Sequence, residues 1–324
     1  MYVTGGMLTT QTRLAKRIRS STRQPASTRP GSHRRRWGPL YLDAQTDARA
    51  ACCVVGAPAA DGSVDAGNAL VLRLLMQSLL DVRWLVFDAD SNLFPVMQAI
   101  RPNDSVRLLD PCDNRACSWD IARDADSPER ALRVASALIP DDPRDPPTLV
   151  AIVRTLAAAA INVLNDVAPG DWALVHLLAL LEPVNIETFM ADRPSARDLF
   201  LTHLEASPAQ AAEIHSFLDA RLRPLRPLAA AMTHAQDRVS ITDWLHSSDV
   251  LLLRENQGPD ISSARTNQAL IELAIQALLD PSLHPTADTW VFFHGLEQIG
   301  RLDCLLTLVR HGPAHNVFTC LLYT

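Results

Sequence analysis

Residues 289–323 read TWVFFHGLEQIGRLDCLLTLVRHGPAHNVFTCLLY. The run TWVFFHGL (289–296) has the continuous apolar character of a strand buried on both faces. Residues 300–310 follow with helical spacing of apolar positions, and NVFTCLLY (316–323) is a second buried-type strand. The same alternation recurs outward from this stretch. VLLLRE (250–255) is a strand followed by a helix over 264–280. VRWLVFDAD (82–90) and SVRLLD (105–110), closed by Pro111, are further strands. ACCVVGA (51–57) is a compact apolar strand that leads through PAADGSVDAG (58–67) into NALVLRLLMQSLLD (68–81), which has helical spacing. Trp37 to Asp43 reads as one more short strand. Buried strands alternating with amphipathic helices predict a parallel, doubly wound α/β sheet.

Between the two groups of strands the pattern changes. Ala/Leu-rich helices are expected over 128–139, 148–167, 171–182, 195–205, 208–222 and 225–236, with breaks at DDPRDPP (141–147), APG (168–170) and Pro183. Ser195 and Ser207 stand where N-caps belong. The predicted organisation is an arm over 1–36, an α/β domain of nucleotide-binding type made of 37–126 and 237–324, and an inserted all-α domain over 127–236. A doubly wound domain ordinarily continues past such a strand with a covering helix or more strands, so an end at Thr324 implies a shortened fold.

With 324 residues, 48% hydrophobic and 20% charged, the chain has enough apolar bulk for a core and too much for wholesale disorder. Aromatics are 5%, so Ala, Leu and Val must carry the packing. Lys16 is the only lysine. That excludes a Schiff base, a lysine general base and a phosphate-loop lysine inside the folded body. The basic residues are unevenly placed. Arg13, Lys16, Arg17, Arg19, Arg23, Arg29, Arg34, Arg35 and Arg36 are joined by no acid before Trp37, whereas the rest of the chain has 21 Arg against 36 acids. The basic run lies among Ser, Thr, Gln and Pro and reads as a disordered arm. It is either a tether to DNA or an acidic surface, or a solvated leader. It also has the composition of an organelle transit peptide. Six cysteines form no CxxC pair, and Cys112 and Cys117 frame a Pro/Asp/Asn loop without zinc-ligand spacing, so a reducing compartment without disulfides is expected. No apolar run of bilayer-spanning length is read, since 149–164 is interrupted by Arg154 and Asn162, and no secretory leader is visible.

A strand, a glycine-bearing loop and a helix make a natural phosphate site, because backbone N–H groups and the helix dipole converge there. Here Gly62 and Gly67 have the spacing of GxxxxGK[ST], but Asn68 stands in the lysine position and Ala69 in the position of the magnesium-binding hydroxyl. Asp65 adds repulsion toward a polyphosphate. The second half of such a site is a strand ending in Asp-Glu; Trp290 to Phe293 ends instead in His294-Gly295, and Glu297 is the nearest acid beyond. Asp88 and Asp90 end a strand, and are either metal or ribose ligands or turn and cap residues. His311 and His315 are spaced i, i+4 across Gly312-Pro313 and read as loop histidines. No metal site is expected, and the absence of a GxSxG elbow leaves a hydrolase triad without an anchor.

Taken together, these segments resemble the motor domain of type IV secretion coupling proteins, the VirD/TraD-type, RecA-like ATPases of conjugative DNA transfer. Five segments carry the resemblance. They are ACCVVGA with its glycine loop and LVLRLL; VRWLVFDADSNLF (82–94); SVRLLDPCDNRACSWDI (105–121); ERALRVASALIP (129–140); and SITDWL (240–245) with VLLLRENQ and WVFFHGLEQIGRL (290–302). The third is similar to the family's "hLNPhDxRxxxWxh", with Asp110, Pro111, Asp113, Arg115 and Trp119 in place and Asp110 where Asn is usual. The resemblance implies a RecA-like fold with an inserted all-α domain, DNA and other secretion-system proteins as partners, and a homo-oligomer. It also implies residence in the cytoplasm, reaching the inner membrane through partners. ATP and Mg²⁺ would be cofactors only if the family's activity survived. Losing preorganised charges at a phosphoryl-transfer site costs about 10²–10³ per group, so a subunit without ATP hydrolysis is expected. The other readings are an active translocating ATPase that uses substitute residues or a partner's lysine, and a decayed gene remnant.

Overall fold

The computed structural model describes residues 82–89, 93–101, 106–110, 112–190, 193, 197–198, 201–205, 207–235, 237–255, 263–283 and 287–323, together with the backbone of five short strands before residue 56. Six parallel strands form the central sheet: β1 (Cys52–Val55), β2 (Arg83–Asp88), β3 (Val106–Leu109), β4 (Val250–Arg254), β5 (Thr289–His294) and β6 (Val317–Tyr323). Their spatial order is β1-β6-β5-β2-β4-β3. The expected parallel sheet with flanking helices is therefore present.

Strand alternation sends side chains to two apolar layers. Leu85, Phe87, Leu109, Leu251, Leu253, Val291 and Phe293 face one. Trp84, Val86, Leu108, Leu252, Trp290, Phe292 and Phe318 face the other. Burial on both faces is why these strands read as unbroken apolar runs. In the second layer Trp84 stacks on Phe292 at 5.1 Å and Trp290 meets Phe318 at 5.4 Å, contacts worth about 0.5–1.5 kcal/mol each beyond burial.

Helix α1 (Phe94–Ile100) belongs to the second layer through Phe94 and Met97. Between β3 and β4 run α2 (Pro128–Leu138), α3 (Pro147–Val167), α4 (Leu174–Leu180), α5 (Pro183–Met190), a π-type turn (Leu201–Glu205), α6 (Pro208–Leu222) and α7 (Arg226–Met232), then the short α8 (Ile241–Leu245). Ser127 and Ser207 cap α2 and α6 by accepting the Arg130 and Gln210 N–H groups, each followed by Pro at the first helical position. Helix α9 (Ala264–Leu279) is buried around most of its circumference and packs against α2, while α10 (Leu305–His311) precedes β6. The helices of 128–232 and one face of the sheet share a single continuous core.

Two expectations need revision. Helix α3 is by length and composition apolar enough to cross a bilayer, although no such run was read; an isolated Arg and Asn do not offset its Ala, Val, Leu and Ile. In the fold half of it is buried, with Val153, Leu156, Ala160 and Ile161 in the core. Arg34–Trp37 pairs antiparallel with Leu40–Asp43, so the end of the supposed structureless arm forms strand, and the strand expected over 37–43 begins later. Of the helix expected over 195–205, residues 197–198 are helical and Leu201–Glu205 forms a π-type turn, while 195–196, with the expected cap Ser195, and 199–200 lie outside the described residues.

Candidate functional site

Ligands of parallel α/β sheets bind beyond the carboxyl ends of the strands. Four neighbouring strands here end in one row of ionisable residues. In the ladder His294 is opposite Asp88, and Asp88 is opposite Arg254. Asp110 follows Leu109, which pairs with Leu253, so it continues the row beside Arg254. Asp88 is 0% exposed and His294 1%. His294 Nδ1 lies 3.4 Å from Asp88 Oδ1, and the Leu93 backbone N–H donates to Asp88 Oδ2 at 2.8 Å at the start of α1. The Ala89 N–H donates to the His294 carbonyl at 3.1 Å and the Glu255 N–H to the Asp88 carbonyl at 3.2 Å, fixing the strand ends to one another. A buried carboxylate survives only with such partners.

Arg254 extends the row outward. Its Nη1 donates to Asp110 Oδ2 and to Asp113 Oδ2, each at 3.0 Å. Asp113 also receives Arg115 through Nε (2.8 Å) and Nη2 (2.6 Å), and the Arg115 guanidinium lies 4.6 Å from the centre of the Phe94 ring. Arg115 holds the Asp113 carboxyl well below the usual carboxylate range. The segment then runs into Ser118–Trp119, which pairs with Arg238–Val239. Trp119 Nε1 donates to Asp124 Oδ2 (2.8 Å), which also accepts the Ile241 N–H (2.8 Å). Asp124 Oδ1 accepts the Thr242 N–H (2.8 Å) and hydroxyl (2.9 Å). Burial pushes the Asp124 carboxyl up while these donors pull it down. Asp124 thereby ties the start of the helical stretch to its return into the sheet.

The ionisable groups of the row are packed against one another. Asp88 lies 3.4 Å from an imidazole and accepts a backbone N–H, and Asp110 and Asp113 are paired with Arg254 and Arg115. An acid meant for water-bridged Mg²⁺ should face open solvent, and a cation meant for phosphate should lack a carboxylate. Neither condition holds here. Among the described residues no group of three His, Cys, Asp or Glu could hold a metal ion.

The sequence-predicted residues fall out as follows. His294 and Gly295 are at the strand end as expected, with Gly295 left-handed at φ 74°, which gives the chain its turn out of β5. Glu297 lies in the 3₁₀ turn Leu296–Gln298. Asp88 acts as a buried anchor at the start of α1. His311 ends α10 and His315 ends the 3₁₀ turn Gly312–His315. Gly62, Asp65, Gly67, Asn68, Ala69 and Asp90 lie outside the described residues, as do Arg13, Lys16, Arg17, Arg19, Arg23 and Arg29. Arg34, Arg35 and Arg36 are in the short strand Arg34–Trp37. Sequence inspection missed the roles of Arg254 and Asp124. A charged residue closing the apolar run VLLLRE was the available signal for the first; nothing local marked the second.

Solved structures of the bacterial conjugative coupling protein TrwB share this architecture. The unbound monoclinic form of TrwBdeltaN70 matches with a TM-score of 0.71 at 16% identity, covering 96% of this chain and 69% of that one. TrwB in complex with ADP and Mg²⁺ gives 0.70 at 15% identity, covering 98% and 71%. At such identities the likeness speaks for the fold. No curated protein matches the chain in sequence. A family model, the type IV secretion-system coupling protein DNA-binding domain, matches residues 61–317. The motif segment, the strand order and that match agree, and the chain belongs to the type IV secretion-system coupling protein family.

Proposed function

We propose that this chain is a coupling-protein subunit of a DNA-transfer system that works as a DNA- or protein-interaction module and does not hydrolyse ATP. The observation that supports this most is the carboxyl edge of the sheet, where the buried acid Asp88 lies beside His294 and accepts the Leu93 N–H, and where Arg254 is held by Asp110 and Asp113. The absence of any lysine besides Lys16 supports it from the other half of a nucleotide site. In this proposal the segment 127–236 is the inserted all-α unit, the basic arm supplies salt-sensitive DNA contact, and the subunit works as a homo-oligomer beside other secretion proteins. It resides in the cytoplasm and reaches the inner membrane through them.

The test is steady-state ATP hydrolysis by the purified chain with single-stranded and duplex DNA. No turnover above background is expected. DNA-stimulated turnover abolished by Glu297→Gln would instead establish an active motor with a displaced acid. Poor soluble expression with non-cooperative melting would favour a decayed remnant; a single cooperative transition is expected.

A further inference from the structure

Resting on the DNA contact proposed above, we infer that the cavity between the loop after α2, the first turn of α9 and the turn after β5 takes one nucleotide of a single DNA strand, with its phosphodiester on Arg265. The cavity has a volume of about 530 Å³, inside the range of about 300–1,000 Å³ usual for small-ligand sites. Arg144, Arg265 and Arg301 reach it from three separate segments. Two of these segments follow the carboxyl ends of β4 and β5, the side on which parallel α/β sheets bind their ligands. Gln268, 8% exposed, forms part of the wall. Its side-chain N–H donates to the Arg301 carbonyl at 2.9 Å and so holds the third segment against α9.

Charge decides the ligand. Asp142 pairs with Arg144 at 2.8 Å, Asp303 with Arg301 at 2.5 Å and Asp141 with Arg154 at 3.1 Å. Half-buried Arg265 has no ion-pair or hydrogen-bond partner among the described residues, so it is the cation left over. One phosphodiester carries one negative charge and neutralises it, whereas a polyphosphate would bring several charges against three carboxylates. Arg265 also stands in the first turn of α9, which holds no acid, and the Ser263 hydroxyl donates to the Arg254 carbonyl instead of capping the helix. A cation there opposes the positive end of the helix, a local cost that a bound anion removes. Arg144 and Arg301 are held by exposed pairs with acids two residues away; such pairs are worth little in water, so both guanidiniums can turn to flanking phosphates. No aromatic side chain is among the described residues of the wall, which offers Pro140, Pro143 and Ile299 to the base. The hold is therefore on the backbone and not on base identity. A duplex would first have to unpair and flip a nucleotide, a cost that a single strand avoids.

Phenylglyoxal footprinting of the full-length chain tests occupancy directly. The reagent modifies arginine and blocks tryptic cleavage there, so modified Arg265 leaves peptides 255–265 and 266–301 joined as one. Arg265 should be modified in the free protein and protected by a short oligothymidylate, but not by inorganic phosphate or polyglutamate at the same concentration of negative charge. Equal protection by either would overturn the assignment, in favour of a free-anion site or an acidic protein partner. In fluorescence anisotropy Arg265→Gln should weaken oligothymidylate binding about tenfold. It should also reduce the slope of log Kd against log salt by about 0.7, one single-strand phosphate contact, and leave duplex binding unchanged. Arg265→Lys keeps the charge and should restore the slope. Wild-type affinity and slope in Arg265→Gln, or an equal loss on duplex, would overturn the single-strand site and leave the chain's DNA contact standing. No binding of either DNA by the wild type would overturn that contact, and the site with it.

Discussion

Asp88 and His294 set the chemistry of the strand ends. Removing the Asp88 carboxylate leaves the buried Leu93 N–H without its acceptor, at about 1–3 kcal/mol. Asp88→Ala should therefore lower the thermal midpoint sharply, and circular-dichroism melts would reveal it. His294→Asp puts two carboxyls side by side without a cation. It should be destabilised at pH 7 and partly recover on acidification, as one carboxyl takes up a proton. Asp113 behaves in the opposite sense. Its folded carboxyl lies below the ordinary range because Arg115 is beside it. Its contribution is thus present above about pH 4 and lost as the pH falls. The midpoint difference between wild type and Asp113→Asn should be largest near neutrality and shrink toward pH 2–3; a constant difference would refute the ion pair's role. Cys304 is a control on burial: its thiol is pushed up to about 12, so it should resist iodoacetamide at pH 8 while exposed Cys112 reacts, as peptide mapping can show.

Helices and strands were legible where local chemistry decides them. The strands of a parallel sheet carry unbroken apolar runs, and Ser207-Pro208 announces a helix start through a cap that the fold uses, as Ser127 does at α2. Ser127→Ala should cost about 1 kcal/mol, measurable by urea denaturation, with little change in the slope. What stayed illegible is long-range. His294 reaches Asp88 and Arg254 reaches Asp110 only because strands distant in sequence are neighbours in the sheet. Helix α1 escaped notice because it is short, follows a leucine without a capping side chain, and is fixed instead by Asp88. The apolar length of α3 also misleads at this scale, since a buried core helix and a membrane span share a composition.

Across the whole molecule, charge is divided between a basic leading segment and an acidic remainder. If the arm supplies the DNA contact, deleting residues 1–36 should abolish most affinity, and the intact chain should bind with a steep inverse dependence on salt; fluorescence anisotropy at several ionic strengths would show both. Unchanged affinity after deletion would move the contact to the folded body. The fold has kept the sheet, its two apolar layers and the motif segment, while in the proposed function the edge that faces a nucleotide in a motor is closed by its own side chains. The most direct measurement is titration calorimetry of the full chain with ATP and Mg²⁺. No heat of binding is predicted up to millimolar nucleotide, in wild type and Glu297→Gln alike. Saturable binding at micromolar nucleotide would contradict the closed edge and restore this protein to the working motors of its family.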